Sequence, residues 1–109
     1  MKSIFDVKGI AYLSFAALAA CATTDPPQSE LAAARAMVAQ ARPMAEATAP
    51  AELAAAQGTL ARAEAAMQRG HNEHARLLAL QAEADAKLAW TIAENARAQR
   101  ALQEERRPR

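Results

Sequence analysis

The chain has 109 residues, of which 52% are hydrophobic and 23% charged, while aromatic residues make up only 4%. Its 13 basic and 12 acidic side chains give a formal net charge of +1. This near balance argues against a basic groove for nucleic acid. The single cysteine, Cys21, cannot form an internal disulfide, so noncovalent packing must hold the fold.

The N-terminal segment is typical of a secretion leader. Lys2 and Lys8 form a basic region, residues 10–20 are mostly apolar, and small residues precede Cys21. The apolar run has about half the roughly 20 residues of a membrane-spanning helix, which makes a retained membrane helix the weaker interpretation. Ordinary cleavage after Ala22 is a second alternative.

Leu18, Ala19, Ala20 and Cys21 resemble the lipobox of bacterial lipoproteins. The resemblance implies that residues 1–20 are a signal peptide and that the sulfur of Cys21 carries a diacylglycerol. No cofactor is expected beyond this lipid. Because one acyl chain binds membranes only reversibly, the two or three chains of such an anchor would make attachment lasting. Position 22 is Ala rather than the Asp that commonly retains such proteins at the inner membrane. We therefore expect the periplasmic face of the outer membrane.

The mature chain is expected to begin with a flexible tether over residues 21–28, followed by a first helix at about residues 29–42. Ser29 is the expected N-cap, and Pro43 is expected to end the helix before a connector at residues 43–49. Leu31, Ala34, Val38 and Ala41 have the spacing of one buried helix face.

Two further helices are predicted at about residues 50–69 and 72–106, with a tail at residues 107–109. Pro50 suits the first helical position, Gly70 a left-handed helix end, and Asn72 the N-cap of the third helix. The turn between these helices is short, which predicts an antiparallel hairpin.

Alanine makes up roughly 30% of the chain, which favours helices that pack closely. The predicted fold is all-α: an antiparallel hairpin or a slender, coiled-coil-like three-helix bundle with a long overhanging C-terminal helix. Whether the first helix packs on the hairpin stays open. The expected large core side chains are Leu31, Val38, Leu53, Leu60, Met67, Leu77, Leu78 or Leu80, and Leu88.

The overhanging helix supplies the candidate partner-binding residues Leu88, Trp90, Ile92 and Leu102. Apolar surface of this kind suits a second copy of the chain or another envelope protein. Alternatively, the first helix covers part of it or the end frays in solvent.

The segments Pro50 to Leu53 and Leu60 to Ala65, followed by Gly70 and Ala75, resemble the alanine-rich lipoproteins grouped as domain of unknown function 4398. The aromatic residue that the family usually has soon after that glycine is missing. The same segment is similar to half of a tetratricopeptide repeat, but one hairpin is too little for a repeat array.

The sequence offers no constellation for catalysis, so no enzymatic activity and no small-molecule substrate are predicted. His71 and His74 flank Glu73 and could supply metal ligands, but surface histidines are the better interpretation and no metal site is predicted. Glu83 and Lys87 are spaced for a helical ion pair. The expected role is a non-catalytic structural or adaptor module, or alternatively an accessory subunit of an envelope complex that docks through its long helix.

Overall fold

The fold is three α-helices, as described by a computed structural model over residues 25–108. The helices are α1 (Gln28–Thr48), α2 (Pro50–Gln68) and α3 (Asn72–Glu105), and no strand occurs among the described residues. The predicted all-α class is confirmed. Cys21, the lipobox and the leader lie outside the described residues. No described helix has both the length and the apolarity needed to span a membrane.

The three helices pack as a bundle in which α1 runs antiparallel to α2 and parallel to α3. One buried cluster joins the first turns of α1 to the second half of α2 and the first half of α3: Leu31, Ala34, Ala63, Ala79 and Ala82. A second cluster joins the end of α1 to the start of α2 and the middle of α3: Val38, Ala41, Ala45, Ala49, Leu53, Ala56, Ala86, Ala89 and Ala93. The first helix is therefore an integral part of a slender bundle.

Two ion pairs between helices fit the same arrangement. Arg35 Nε lies 2.8 Å from Glu64 Oε1, which joins α1 to α2, and Arg76 Nε lies 3.1 Å from Glu30 Oε1, which joins α3 to α1. All four side chains keep contact with solvent, so each pair contributes at most about 1 kcal/mol. Burial of the apolar faces must supply most of the stability.

The predicted end of α1 at Pro43 is wrong, because the helix continues to Thr48. Pro43 has no N–H for the carbonyl of Ala39, but both residues are exposed and water can solvate that carbonyl. Continuing the helix also buries Ala45. The predicted connector shrinks to the single residue Ala49, which is itself buried.

The start of α1 also differs from the prediction. The helix begins at Gln28, with Pro27 rather than Ser29 at the N-cap position. The Pro27 side chain is fully buried, and its carbonyl accepts a hydrogen bond of 3.0 Å from the amide of Leu31. Within the predicted tether, Pro27 is thus packed against the bundle and Gln28 belongs to α1.

The turn between α2 and α3 follows the predicted chemistry. Gly70 has φ +78°, a left-handed conformation, as expected for this helix end. The amide of His71 donates to the carbonyl of Ala66 at 2.9 Å, and the amide of Gly70 donates to that of Met67 at 3.0 Å. The pair forms a Schellman motif. The N-cap of α3 is His71, one residue before the predicted Asn72.

Alanine fills the inner face of α3, where leucine was expected. Leu31, Val38 and Leu53 are buried as predicted, and they come from α1 and α2. Leu60, Met67 and Leu78 are half-buried. The prediction was wrong for Leu77 and Leu88, whose exposed fractions are 58% and 53%. Of the alternatives Leu78 and Leu80, the structure favours Leu78, since Leu80 is 48% exposed. Since α3 faces two helices at once, methyl groups allow the close approach that leucine would prevent.

Candidate functional site: the outward face of α3

The outward face of α3 carries the outward leucine row, which consists of Leu77, Leu80, Leu88 and Leu102. The buried positions of α3 recur at intervals of four and three residues: Ala75, Ala79, Ala82, Ala86, Ala89 and Ala93. Leu77, Leu88 and Leu102 are separated by about three and about four turns, and Leu80 lies about 60° around the helix from Leu77, so all four fall on the side opposite the alanines. About half of each leucine side chain is exposed.

The structure divides the predicted partner-binding residues into two groups. Leu88 and Leu102 belong to the outward leucine row, each 53% exposed. Trp90 and Ile92 are half-buried and pack against the core cluster around Ala89. They flank the core and leave less surface for a partner.

Sequence reasoning missed Leu77 and Leu80 as members of an outward face. The overlooked signal is the series of alanines at alternating intervals of four and three residues. It marks an apolar stripe that could form the inner face of α3 in place of the leucines. Leu77 and Leu88 are 11 residues apart, or three turns, so they share one side of the helix.

The C-terminal part of α3 stands clear of the other two helices, as predicted. Ala93 is the last buried residue and Ala96 is half-buried. All side chains from Arg97 to Glu105 are exposed. At 1.5 Å per residue these nine residues extend about 13 Å, with Leu102 as their large apolar side chain.

Polar groups beside the outward leucine row form an ion pair and a hydrogen bond with other residues of α3. Lys87 Nζ lies 2.9 Å from Glu83 Oε1, the predicted ion pair, and Thr91 Oγ1 donates to the carbonyl of Lys87 at 2.9 Å. The row itself is made of uncharged side chains. Such a surface can bury the apolar stripe of a partner helix, with selectivity set by the charges at its edge.

The two histidines lie at the opposite end of α3, near the turn after α2. Both are exposed, and Glu73 between them lies 3.7 Å from Arg76 Nη1. Within residues 25–108, no group of three or more His, Cys, Asp or Glu side chains is placed to hold a metal ion.

Comparison with known proteins gives one result. No curated protein and no solved structure matches the chain significantly. The family model described as domain of unknown function (DUF4398) matches residues 29–105, which span all but the first residue of the three-helix bundle. Since the match covers most of the sequence, the chain belongs to the DUF4398 family.

Proposed function

We propose that this protein is a lipid-anchored, non-catalytic structural or adaptor module on the periplasmic face of the bacterial outer membrane. The observation that carries the proposal is the position of Asp25, which follows Cys21 closely in sequence and lies at the start of the bundle. Arg76 Nη2 donates to the carbonyl of Asp25 at 3.2 Å, which fixes the chain at the start of α1 beside α3. Asp25 is four Cα-to-Cα steps after Cys21, a stretch of chain that can span at most about 14 Å. A lipid on Cys21 would therefore hold this end of the bundle close to the membrane.

The remainder of the bundle suits a role away from the anchor. Because α1 and α3 are parallel, the overhang of α3 lies at the end opposite Asp25. A helix of 34 residues is about 51 Å long, so it can present Leu88 and Leu102 at a distance from the lipid surface. A rod anchored at one end with an apolar row along its side is a reasonable adaptor between membrane and partner.

Intact mass spectrometry of the membrane-extracted protein tests the anchor. We expect a chain that starts at Cys21 and carries the mass of two or three acyl chains, and a Cys21→Ala variant without that mass. An unmodified wild-type chain beginning at Thr23 would disprove lipid anchoring. Separation of inner and outer membranes by density then tests the proposed location, and recovery with the inner membrane would contradict it.

A second candidate function is an accessory subunit of an envelope enzyme or transport complex. The half-exposed leucines of the outward leucine row favour it, because a complementary amphipathic helix could cover them. In this case the row would contact a different protein, whereas a structural module would use it for contact between copies.

In-cell crosslinking of a row variant separates the two functions. The row variant carries Leu77→Glu and Leu88→Glu, which place negative charges on the row and leave the buried residues unchanged. Ala47→Glu with Ala61→Glu adds the same charges at exposed positions of α1 and α2. Loss of a crosslink between copies in the row variant alone supports the structural role. Loss of only a heterologous crosslink supports the accessory role, and equal crosslinks in both variants exclude the row from either.

A further inference from the structure

A cleft opens between the last turns of α2 and the first turns of α3. Its volume is about 300 Å³. Its apolar lining consists of Ala65, Ala66 and Leu78. Because apolar walls lower the local dielectric constant, the basic side chains that line the cleft attract an anion more strongly than they would in open water. It lies at the end of the bundle where α1 begins and is separate from the outward leucine row.

Four nitrogen-bearing side chains line this cleft: Arg62, Arg69, His71 and His74. The two arginines are seven residues apart, or two turns, which places them on the same side of α2. The left-handed Gly70 reverses the chain directly after Arg69, so the histidines of the turn and of α3 face the same space. The sequence spacing alone did not indicate this convergence.

No acidic side chain lines the cleft, and the acidic groups nearby are paired with other arginines. Glu64 pairs with Arg35 at 2.8 Å, and Glu73 lies 3.7 Å from Arg76. Arg62 donates one hydrogen bond of 3.0 Å to the neutral Thr59 hydroxyl. Within residues 25–108, neither Arg62 nor Arg69 has a carboxylate within ion-pair distance. Both positive charges are therefore available to a ligand.

The N-terminus of α3 adds to the positive potential. Its N-cap residue, His71, makes no side-chain hydrogen bond to the first turn. A helix of 34 residues carries a partial positive charge at this end, which favours anions. Guanidinium groups provide paired N–H donors that match the oxygens of a phosphate.

We propose that this cleft binds a phosphate group, with Arg62 and Arg69 as its charged donors and His71 and His74 as further contacts. The phosphate belongs either to an anionic membrane lipid or to a free phosphate compound. The lipid source rests on the proposed function, because a lipid on Cys21 would hold this end of the bundle near the headgroups. Binding of phosphate itself does not depend on the anchor.

His71 and His74 are the two histidines of the chain, so their chemical modification reports on the cleft directly. The full chain in detergent is treated with diethyl pyrocarbonate, and carbethoxylation of each histidine is followed by mass spectrometry. Inorganic phosphate is expected to slow both reactions several-fold in a saturable manner, compared with chloride at equal ionic strength. Absence of protection would overturn the proposal.

A charge-matched pair of variants tests whether protection arises in the cleft. Arg62→Gln with Arg69→Gln should abolish protection by phosphate, while Arg97→Gln with Arg100→Gln on the overhang should keep it. All four side chains are exposed, so circular dichroism should show an unchanged fold for both variants. Equal protection in the two variants would mean that phosphate acts through the general field of the protein, and would overturn the site.

Reconstitution into lipid nanodiscs distinguishes the two sources. Discs of phosphatidylcholine with phosphatidylglycerol should protect the histidines more than discs of phosphatidylcholine alone, and the Arg62 and Arg69 variant should lose the difference. Protection by inorganic phosphate without any effect of phosphatidylglycerol would support a free phosphate ligand and contradict the lipid source. The mass of Cys21 is read from the same samples, so failure of the anchor and failure of the cleft are separate results.

Discussion

Alanine determines how closely α3 can approach its neighbours. Ala79, on the inner face, has no exposed surface, while Ala84 on the outward face is exposed. The two residues belong to the same helix and lie little more than one helical turn apart. They therefore offer the same side chain in opposite environments.

Replacement of these two alanines by leucine should give opposite results. Ala79→Leu forces extra methyl groups between three packed helices and should lower the free energy of unfolding by about 1–3 kcal/mol. Ala84→Leu should change it by less than about 0.5 kcal/mol. Urea unfolding followed by circular dichroism measures both. Tolerance of leucine at position 79 would show that the bundle is loosely packed.

The glycines provide a second contrast between backbone conformations. Gly70→Ala should cost about 1–2 kcal/mol, because φ +78° strains any residue with a Cβ. Gly58 lies inside α2, and a Cβ there would meet nothing within 4 Å. Gly58→Ala should raise stability by about 0.5–1 kcal/mol. Thermal unfolding compares the two, and a stabilising Gly70→Ala would contradict the left-handed turn.

At the scale of the helix, tertiary packing overrides the local signal of Pro43. Proline inside a helix costs about 3 kcal/mol relative to alanine. α1 nevertheless continues, because Ala41 and Ala45 on either side of Pro43 are both fully buried against the other helices. The local rule that a helix usually ends before proline is overridden in α1, where the next turn has apolar surface to bury.

Pro43→Ala should therefore stabilise the protein, by about 1–3 kcal/mol, since it restores a donor for the Ala39 carbonyl and removes the steric conflict. Denaturant unfolding measures the change, with Ala47→Gly on the exposed side of the same helix as a control that should lose about 0.5–1 kcal/mol. A destabilising Pro43→Ala would mean that the proline is needed to shape α1.

The sequence predicts those features of the helices that depend on local backbone geometry, and it fails for those that depend on packing between helices. Pro50 at a helix start and Gly70 at a helix end act through their own backbone geometry, and both were predicted. The choice between the two apolar stripes of α3 depends on how near α1 and α2 approach, which no local rule contains. For the same reason the sequence pattern places Leu77 in the core, and it does not predict the convergence of Arg62 with His74 across the turn.

At the scale of the whole molecule, the overhang of α3 should contribute little to the stability of the bundle. The described residues from Gln99 onward are all exposed, so a chain ending at Ala98 should have the same free energy of unfolding in urea as the full chain, within about 0.5 kcal/mol. A chain ending at Asp85 would lack Ala86, Ala89 and Ala93 and should not fold.

The concentration dependence of unfolding then shows whether the overhang acts between copies. Burial within one chain gives a midpoint independent of protein concentration, whereas association of folded chains raises the midpoint as concentration increases. If the outward leucine row joins two copies, the full chain should show this rise and the chain ending at Ala98, which lacks Leu102, should show less of it. If neither chain shows it, the row is free in the isolated protein, and the accessory role becomes the better explanation for four exposed leucines on one helix.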